Sequence, residues 1–579
     1  MTGPAEGRSL ARFLPAWATG YERPWLRDDV TSGLTLVVML VPQAMAYASL
    51  AGMPPITGLY AAATALLVYA LVGSSSHLSY GPVALVALLT ASALGPLARA
   101  ESGRYLALAG VLALLVGGMH LLLAAMRAGA IIDLISHPVV VGFTAGAAVI
   151  IGLSQVRDLT GVDVERSGRF VDAVALAFRA LTQAHPLTLG IGVACLLALL
   201  LGRRVVPRMP TSLVVSVAAI IAAVAFGLPE RGVAVIGEIP SGLPRPNLPS
   251  VTWDDVRALL PPAAVIAAIA YAESVSIAKA IAARSRERID PNRELLGSGL
   301  ANLAAGLMSG LPVAGSFTRT AVVHNAGART QLAGVIAALI VVLTLAVLTP
   351  LLEPLPRVVL AAIVLVAVIS LIDGRAAIAI LRVDRIDGGV LIATFLATLG
   401  LGVELGLLTG IALNLVAHVA QGMRPALVEL GRVPGTRLYR DVERFGLVTD
   451  PSGVILRLDG PLDFLSVEQV TGQLRRLAAD RPEIDWVVLD ASGVTRMDSS
   501  GVHALQTTQE HLSEAGVALH LATLRGRQRD VIERAGLWSQ LMESNSHVDL
   551  PSALTAVGIP SDGPLLTPRD HESVPDGLR

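Results

Sequence analysis

The chain has 579 residues, of which 53% are hydrophobic and only 15% charged, with a net charge of −1 and a mean hydropathy of +0.65. Ordinary soluble domains carry roughly 25% charged residues, so these totals describe an integral membrane protein and give no reason to expect nucleic acid as a partner. A single cysteine, Cys195, lies in an apolar span and excludes disulfides and thiolate metal sites within the chain.

In chain order, residues 1–28 form a polar segment with Arg8, Arg12, Arg23 and Arg27 and no cleavable signal pattern, so the first span serves as its own targeting signal. About fourteen apolar segments follow, near 30–46, 56–73, 82–97, 105–126, 135–156, 186–201, 211–227, 263–283, 294–311, 315–328, 331–350, 357–373, 388–400 and 402–420. Several are shorter than the ~20 residues that a spanning helix needs. Two short ones open directly after a helix breaker, at Gly81-Pro82 and at Gly315. One is third in the first seven segments and the other third in the second seven, which is the pattern of an inverted-repeat carrier. Arg203, Arg204 and Arg208, then Arg284, Arg286, Arg288 and Arg293, then Arg375, Arg382 and Arg385 fall on one side with both chain ends. The positive-inside rule makes that side cytoplasmic. The loops 157–185 and 228–261 belong to the other side.

The transport domain is therefore expected over 29–424. Residues 435–555 alternate strand-like runs (454–458, 486–489, 517–522) with helical ones (466–477, 501–515), which describes a small soluble α/β domain. The tail 556–579, rich in Pro, Asp and Gly, is expected to be disordered.

The interrupted segments carry the chemistry. A helix that starts inside the bilayer presents unsatisfied N–H groups with partial positive charge, a natural anion site. Two such starts, near Pro82 and Gly315, would meet at the midplane and turn the amides of Val83, Ala84, Ser316, Phe317 and Thr318 toward one cavity. Arg319 lies one turn into the second half-helix, where a cation costs about 2.5–3.5 kcal/mol. It either draws the anion in or pairs with an acid such as Glu273. Glu273 has ten residues of apolar segment on each side, with Ser276 on its face, and suits a proton-coupling group; a structural carboxyl is the other reading. Gln43 and Tyr47, one turn apart on the span bent by Pro42, offer an amide and a hydroxyl, and Phe317 an apolar wall. His120, His137 and His324 are isolated, and no metal or cofactor is expected.

Four stretches together resemble the sulfate permease family (solute carrier family 26): Pro42–Pro55 (PQAMAYASLAGMPP), Gly81–Leu85 (GPVAL), Ala272–Ser274 (AES) and Gly315–Gly327. A fifth, Leu489–Gly501 (LDASGVTRMDSSG), resembles the STAS domain shared with bacterial anti-sigma-factor antagonists. The resemblance implies a polytopic α-helical membrane protein of fourteen spans in two inverted seven-span repeats, divided into core and gate domains, with a C-terminal STAS domain and a homodimeric state. It also implies a substrate contact at Gln43 and coupling to H⁺ or Na⁺ at the place of Glu273. The substrates implied are sulfate, bicarbonate, chloride or dicarboxylates. Ser499 and Ser500 lie in the turn that is phosphorylated in the antagonists; the alternative for them is helix N-capping. The expected function is secondary active anion transport in the cell membrane. An uncoupled anion channel and a membrane-tethered signalling protein are the alternatives, and no enzymatic residue set is visible.

Overall fold

The computed structural model describes residues 15–559 apart from 16, 19, 130–135, 163–169, 206–209, 239–241, 244–245, 247–248, 370, 434–435, 437, 448 and 538–544. Arg8, Arg12, Arg208 and most of the 556–579 tail lie outside the described residues. The chain divides into two compact units, 1–414 and 415–579.

Unit 1 is helical. Helices α1 (Trp25–Leu50) and α2 (Pro55–Val72) precede a two-residue strand β1 (Tyr80–Gly81) and the short helix α3 (Ala84–Leu94). Then come α4 (Gly103–Ala125), α5 (His137–Ser154), α6 (Val156–Thr160), α7 (Phe170–Thr182), α8 (Pro186–Val205), α9 (Thr211–Ala225), α10 (Trp253–Ser285) and α11 (Pro291–Leu307). A second two-residue strand, β2 (Ala314–Gly315), leads into the short α12 (Phe317–Asn325). The unit continues with α13 (Leu332–Leu343), α14 (Thr349–Leu352), α15 (Arg357–Ile369), α16 (Gly374–Val383) and α17 (Arg385–Leu401), and α18 (Val403–Gly422) carries the chain out of it. Among the described residues eight helices are long and apolar enough to cross a bilayer, and the bent pair α7–α8 makes up to nine. Helices α3 and α9 are apolar but shorter.

The expected loop 157–185 contains a helix, α7, whose apolar positions Val171, Val174, Phe178 and Leu181 form an exposed stripe. Helix α10 begins at Trp253, ten residues before the apolar run, because Thr252 and Asp255 form a capping box there. Segments 388–400 and 402–420 are separate helices, parted at Gly402, whose φ of +92° suits glycine. Small residues set the close helix approaches. A Cβ at Gly58 would strike the Ala44 carbonyl of α1, and one at Gly117 would meet the backbone of α11 at Gly299.

Unit 2 is built on a mixed sheet. Strands β3 (Ala426–Arg432), β4 (Tyr439–Asp441), β5 (Gly453–Leu462), β6 (Trp486–Asp490), β7 (Val494–Met497), β8 (Ala518–Ala522) and β9 (Ser546–His547) take the order β4-β3-β5-β6-β8-β9, with β7 also on β5. The pairs β5–β6 and β6–β8 are parallel. Helices α19 (Val442–Phe445), α20 (Val467–Asp480), α21 (Ser499–Glu514), α22 (Gly526–Arg534) and α23 (Leu550–Ala556) complete it. Val454, Leu456, Val487, Leu489 and Leu519 from the strands pack with Val470, Leu474, Val502 and Leu505 from α20 and α21 in one core. The sheet begins at Ala426, ahead of residue 435.

Candidate functional site

The two interruptions meet. Strands β1 and β2 pair antiparallel, with Tyr80 opposite Gly315 and Gly81 opposite Ala314. Each strand leads within three residues into its half-helix, α3 or α12, so both helix starts emerge from one short ladder. Neither N-cap residue, Val83 or Ser316, caps its helix with a side chain. The first-turn amides of such helices have no intrahelical acceptor.

Neighbouring elements hold the ladder. Ser316 donates its N–H to the Ser79 carbonyl at 3.0 Å, and Ser79 donates its own N–H to Thr320 Oγ1 at 3.1 Å. Ser274 on α10 accepts the Gly315 N–H at 2.8 Å and donates to the Ala270 carbonyl. Asn302 on α11 takes the Val313 N–H at 2.9 Å and donates to the Val313 carbonyl at 3.1 Å. Ser274 and Thr320 lie inside the stretches Ala272–Ser274 and Gly315–Gly327 but were given no role there, and Ser79 and Asn302 were not singled out. The only signal at Ser79 and Asn302 was polarity within apolar surroundings.

Gly315 is needed because a Cβ there would press on Leu78 and the Ser274 backbone.

A cavity of about 280 Å³ lies against α12. Gln43 of α1, Phe317 and Thr318 of α12, Thr211 and Ser212 of α9, and Ile363 of α15 line it. Gln43 is buried, and its Oε1 has no hydrogen-bond partner among the described residues. Phe317 is half exposed and Thr318 half-buried, the latter beside Ser316 Oγ at 3.3 Å. Gln43, Phe317 and Thr318 are thus brought together at one cavity wall. Thr211 and Ser212, which open α9 after Pro210, join them unforeseen.

The other expected residues sit differently. Val83, Ala84, Tyr47 and Ser316 are buried away from this cavity's lining. The Ser316 amide is not free to meet a solute, because Ser79 accepts it; the ladder satisfies it first. Arg319 is fully buried and turns into the seam between the two tips, not into the cavity. Its Nε donates to Ser79 Oγ at 3.3 Å and its Nη1 to the Pro82 carbonyl at 3.0 Å, and Nη2 has no partner among the described residues. A Cβ on Gly81 would lie 3.4 Å from Nη2, an ordinary contact distance, so Gly81 borders the guanidinium without being required by it.

Arg319 and Glu273 form no ion pair among the described residues, although each lies within electrostatic reach of the other; Tyr47 is also within reach of Arg319. Glu273 is half-buried, with Oε2 enclosed and unpartnered. Ser276 does not share its environment: it is exposed.

The described histidines form no metal cluster. His137 opens α5, and His120 Nε2 meets the Ala267 carbonyl at 2.8 Å. His324 is not isolated, for its ring stands edge-on to His77 with centroids 4.8 Å apart. In unit 2 the cap of α21 is Asp498, whose carboxylate accepts the Gly501 N–H at 2.9 Å. Capping therefore does not fall to Ser499 or Ser500, and both are exposed at the helix start.

Residues 26–394 match the Sulfate permease family and residues 444–548 the STAS domain. A probable sulfate transporter from Mycobacterium tuberculosis is 36% identical over 548 residues, covering 93% of this chain and 98% of its own. The chloroplastic sulfate transporter 4.1 of Arabidopsis thaliana is also 36% identical, over 89% of this chain and 77% of its own. Murine Solute Carrier 26 family member A9, an anion transporter solved in an inward-facing state, superposes with a TM-score of 0.85 at 22% identity, covering 96% of both chains. The transmembrane domain of the cyanobacterial bicarbonate transporter BicA gives 0.60 at 22% identity, over 69% of this chain and 98% of its own. At that identity the two structures speak for the fold. With its membrane unit followed by a STAS domain, the chain belongs to the sulfate permease family, a family of membrane transporters and not of enzymes.

Proposed function

We propose that this protein is a secondary active transporter of small anions, of the sulfate type or taking bicarbonate or C4-dicarboxylates, which works by alternating access. The observation that carries the reading is the β1–β2 ladder, which sets two uncapped helix starts side by side, with the start of α12 at a cavity lined by Gln43, Phe317 and Thr318. An anion leaving water must recover its hydrogen bonds. Helix-start amides and the Gln43 side chain supply donors without a fixed charge, so release remains easy. Arg319, buried behind the tips, adds a positive field without occupying the cavity. Glu273 is the coupling group for H⁺ or Na⁺ in this reading, since its enclosed, unpartnered Oε2 is suited to receive a cation. Fourteen passages in two inverted repeats, a homodimer in the cell membrane, and cytoplasmic placement of the N-terminus and STAS domain complete it. The arginines of the Arg284–Arg293 loop support that orientation.

Purified protein in liposomes should take up labelled sulfate, bicarbonate or a C4-dicarboxylate against a gradient when a pH or sodium gradient is imposed. A reversal potential that ignores the co-ion gradient would instead identify an uncoupled channel. Failure to move any of the three anions would overturn the reading. In the STAS domain, exposed Ser499 and Ser500 remain open to a kinase, and phosphopeptide mapping from the native host decides whether either is modified.

A further inference from the structure

The cavity at the start of α12 has a second polar side, made by α9. Leu199 of α8, Pro210, Thr211 and Ser212 at the start of α9, and Ile363 and Val366 of α15 line it there. Four of these six are apolar, so Thr211 and Ser212 carry the side-chain polarity of that side.

The way α9 begins leaves both hydroxyls unused by the helix. A serine or threonine inside a helix can fold its hydroxyl onto the carbonyl one turn back. Ser216 does so to the Ser212 carbonyl at 2.8 Å, and Thr394 and Thr398 of α17 do the same at 2.7 and 2.8 Å. Thr211 and Ser212 are the first two residues of α9 and have no helical carbonyl behind them. Pro210 caps the helix with no side-chain hydrogen bond. Its carbonyl accepts the Leu213 and Val214 N–H groups at 3.1 and 3.2 Å, and the amides of Thr211 and Ser212 have no acceptor among the described residues. The Thr211 methyl rests over Gly202 of α8, where a Cβ would collide with it. With the methyl held there, the hydroxyl is the branch left for the cavity.

Gln43 points independently to a ligand at this place. It lines the same cavity, is only 3% exposed, and its Oε1 has no partner among the described residues. A buried polar atom without a partner calls for an occupant. A carboxamide can turn either its oxygen or its NH2 toward one.

We propose that Thr211 and Ser212 are a second set of anion ligands, which hold a tetrahedral oxyanion such as sulfate from the α9 side of the cavity while Thr318 and the α12 amides hold it from theirs. The inference rests on this cavity being the transport site. Sulfate has four oxygens, all of them acceptors, spread about one centre. Some can take the α12 donors while others take the two α9 hydroxyls and the amides behind them. Chloride is a single atom and meets fewer of these donors at once. The α9 hydroxyls therefore add more to the binding of an oxyanion than to that of a halide, and they set the preference between the two.

The test measures initial rates of labelled sulfate uptake by the full chain in liposomes, with chloride as competitor at sulfate well below its KM. Thr211→Val keeps both branches of the side chain and removes only the hydroxyl, and Ser212→Ala removes the other one. The double variant is expected to raise the KM for sulfate about tenfold, while the chloride concentration that halves uptake changes by less than about threefold. Thr211→Ser, which keeps the hydroxyl and loses the methyl, should recover most of the affinity lost in Thr211→Val. A merely structural Thr211 would give the reverse order, with valine harmless and serine damaging, because the methyl is what packs on Gly202; that result overturns the proposal. So does a fall in maximal rate at unchanged KM, which would assign the start of α9 to the conformational change. Equal weakening of sulfate and chloride would overturn the preference for oxyanions. Wild-type protein that takes up no sulfate would remove the transport reading itself, whereas a wild-type KM in the double variant removes only this inference.

Discussion

Sulfate uptake by Arg319→Ala should fall by about a hundredfold, because a hydrogen bond to a charged group is worth about 1.5–3 kcal/mol and each ~1.4 kcal/mol is a factor of ten. Two consequences of the substitution act together. The positive field behind the tips disappears, which should raise the KM for a divalent anion. The hydrogen bonds to Ser79 and to the Pro82 carbonyl also disappear, and these join α12 to the strand that starts α3. Arg319→Lys separates the two effects. An ammonium keeps the charge but cannot reach both acceptors in the fixed geometry of a guanidinium. The lysine variant should therefore recover most of the KM and only part of the maximal rate. Initial rates of labelled sulfate uptake over a range of concentrations measure both quantities. Unchanged KM and rate in the alanine variant would remove Arg319 from the account.

Glu273→Gln should abolish pH-driven accumulation and spare exchange. A proton moving down one pH unit releases about 1.4 kcal/mol, enough to hold about a tenfold sulfate gradient if one proton travels with each anion and no voltage opposes it. Glutamine keeps the shape of the side chain and cannot give up a proton, so the variant should equilibrate sulfate without concentrating it. Exchange should stay within about threefold of wild type, because Glu273 is not part of the ladder or of the cavity lining. If sodium is the co-ion, the same variant should lose accumulation under a sodium gradient instead. Full accumulation under both gradients would exclude the role.

Much of this site was legible because helix breakers act locally. Gly81-Pro82 and Gly310–Gly315 interrupt apolar runs whatever surrounds them, and two interruptions at matching places in the two halves imply a meeting of helix ends. The ladder that joins them was not legible: a pair of two-residue strands is too short to show any period. For the same reason the fate of the Ser316 amide was misjudged, since its acceptor, the Ser79 carbonyl, is more than 200 residues away in sequence. Arg319 was found by its charge, but its direction is set by acceptors distant in sequence, Ser79 Oγ and the Pro82 carbonyl. The early start of α10 did have a signal, Thr252 three residues before Asp255, which hydropathy alone passes over. Helix α7 was hidden differently. Its apolar stripe faces outward, and Asp172 and Arg179 interrupt the apolar run that would have marked it. In the soluble domain the runs at 454–458 and 486–489 gave their strands directly: 486–489, between two parallel neighbours, is apolar throughout, and 454–458 is apolar except for Arg457.

An anion is expected to dock at the start of α12, in the cavity lined by Gln43 and Thr318. Structure determination with bound selenate, located by the anomalous signal of selenium, tests it most directly. A selenium peak is expected at the cavity beside Gln43 and Thr318, within hydrogen-bonding distance of the first-turn amides of α12. A peak elsewhere in the membrane unit, with those amides left facing solvent while the protein transports selenate, would contradict it.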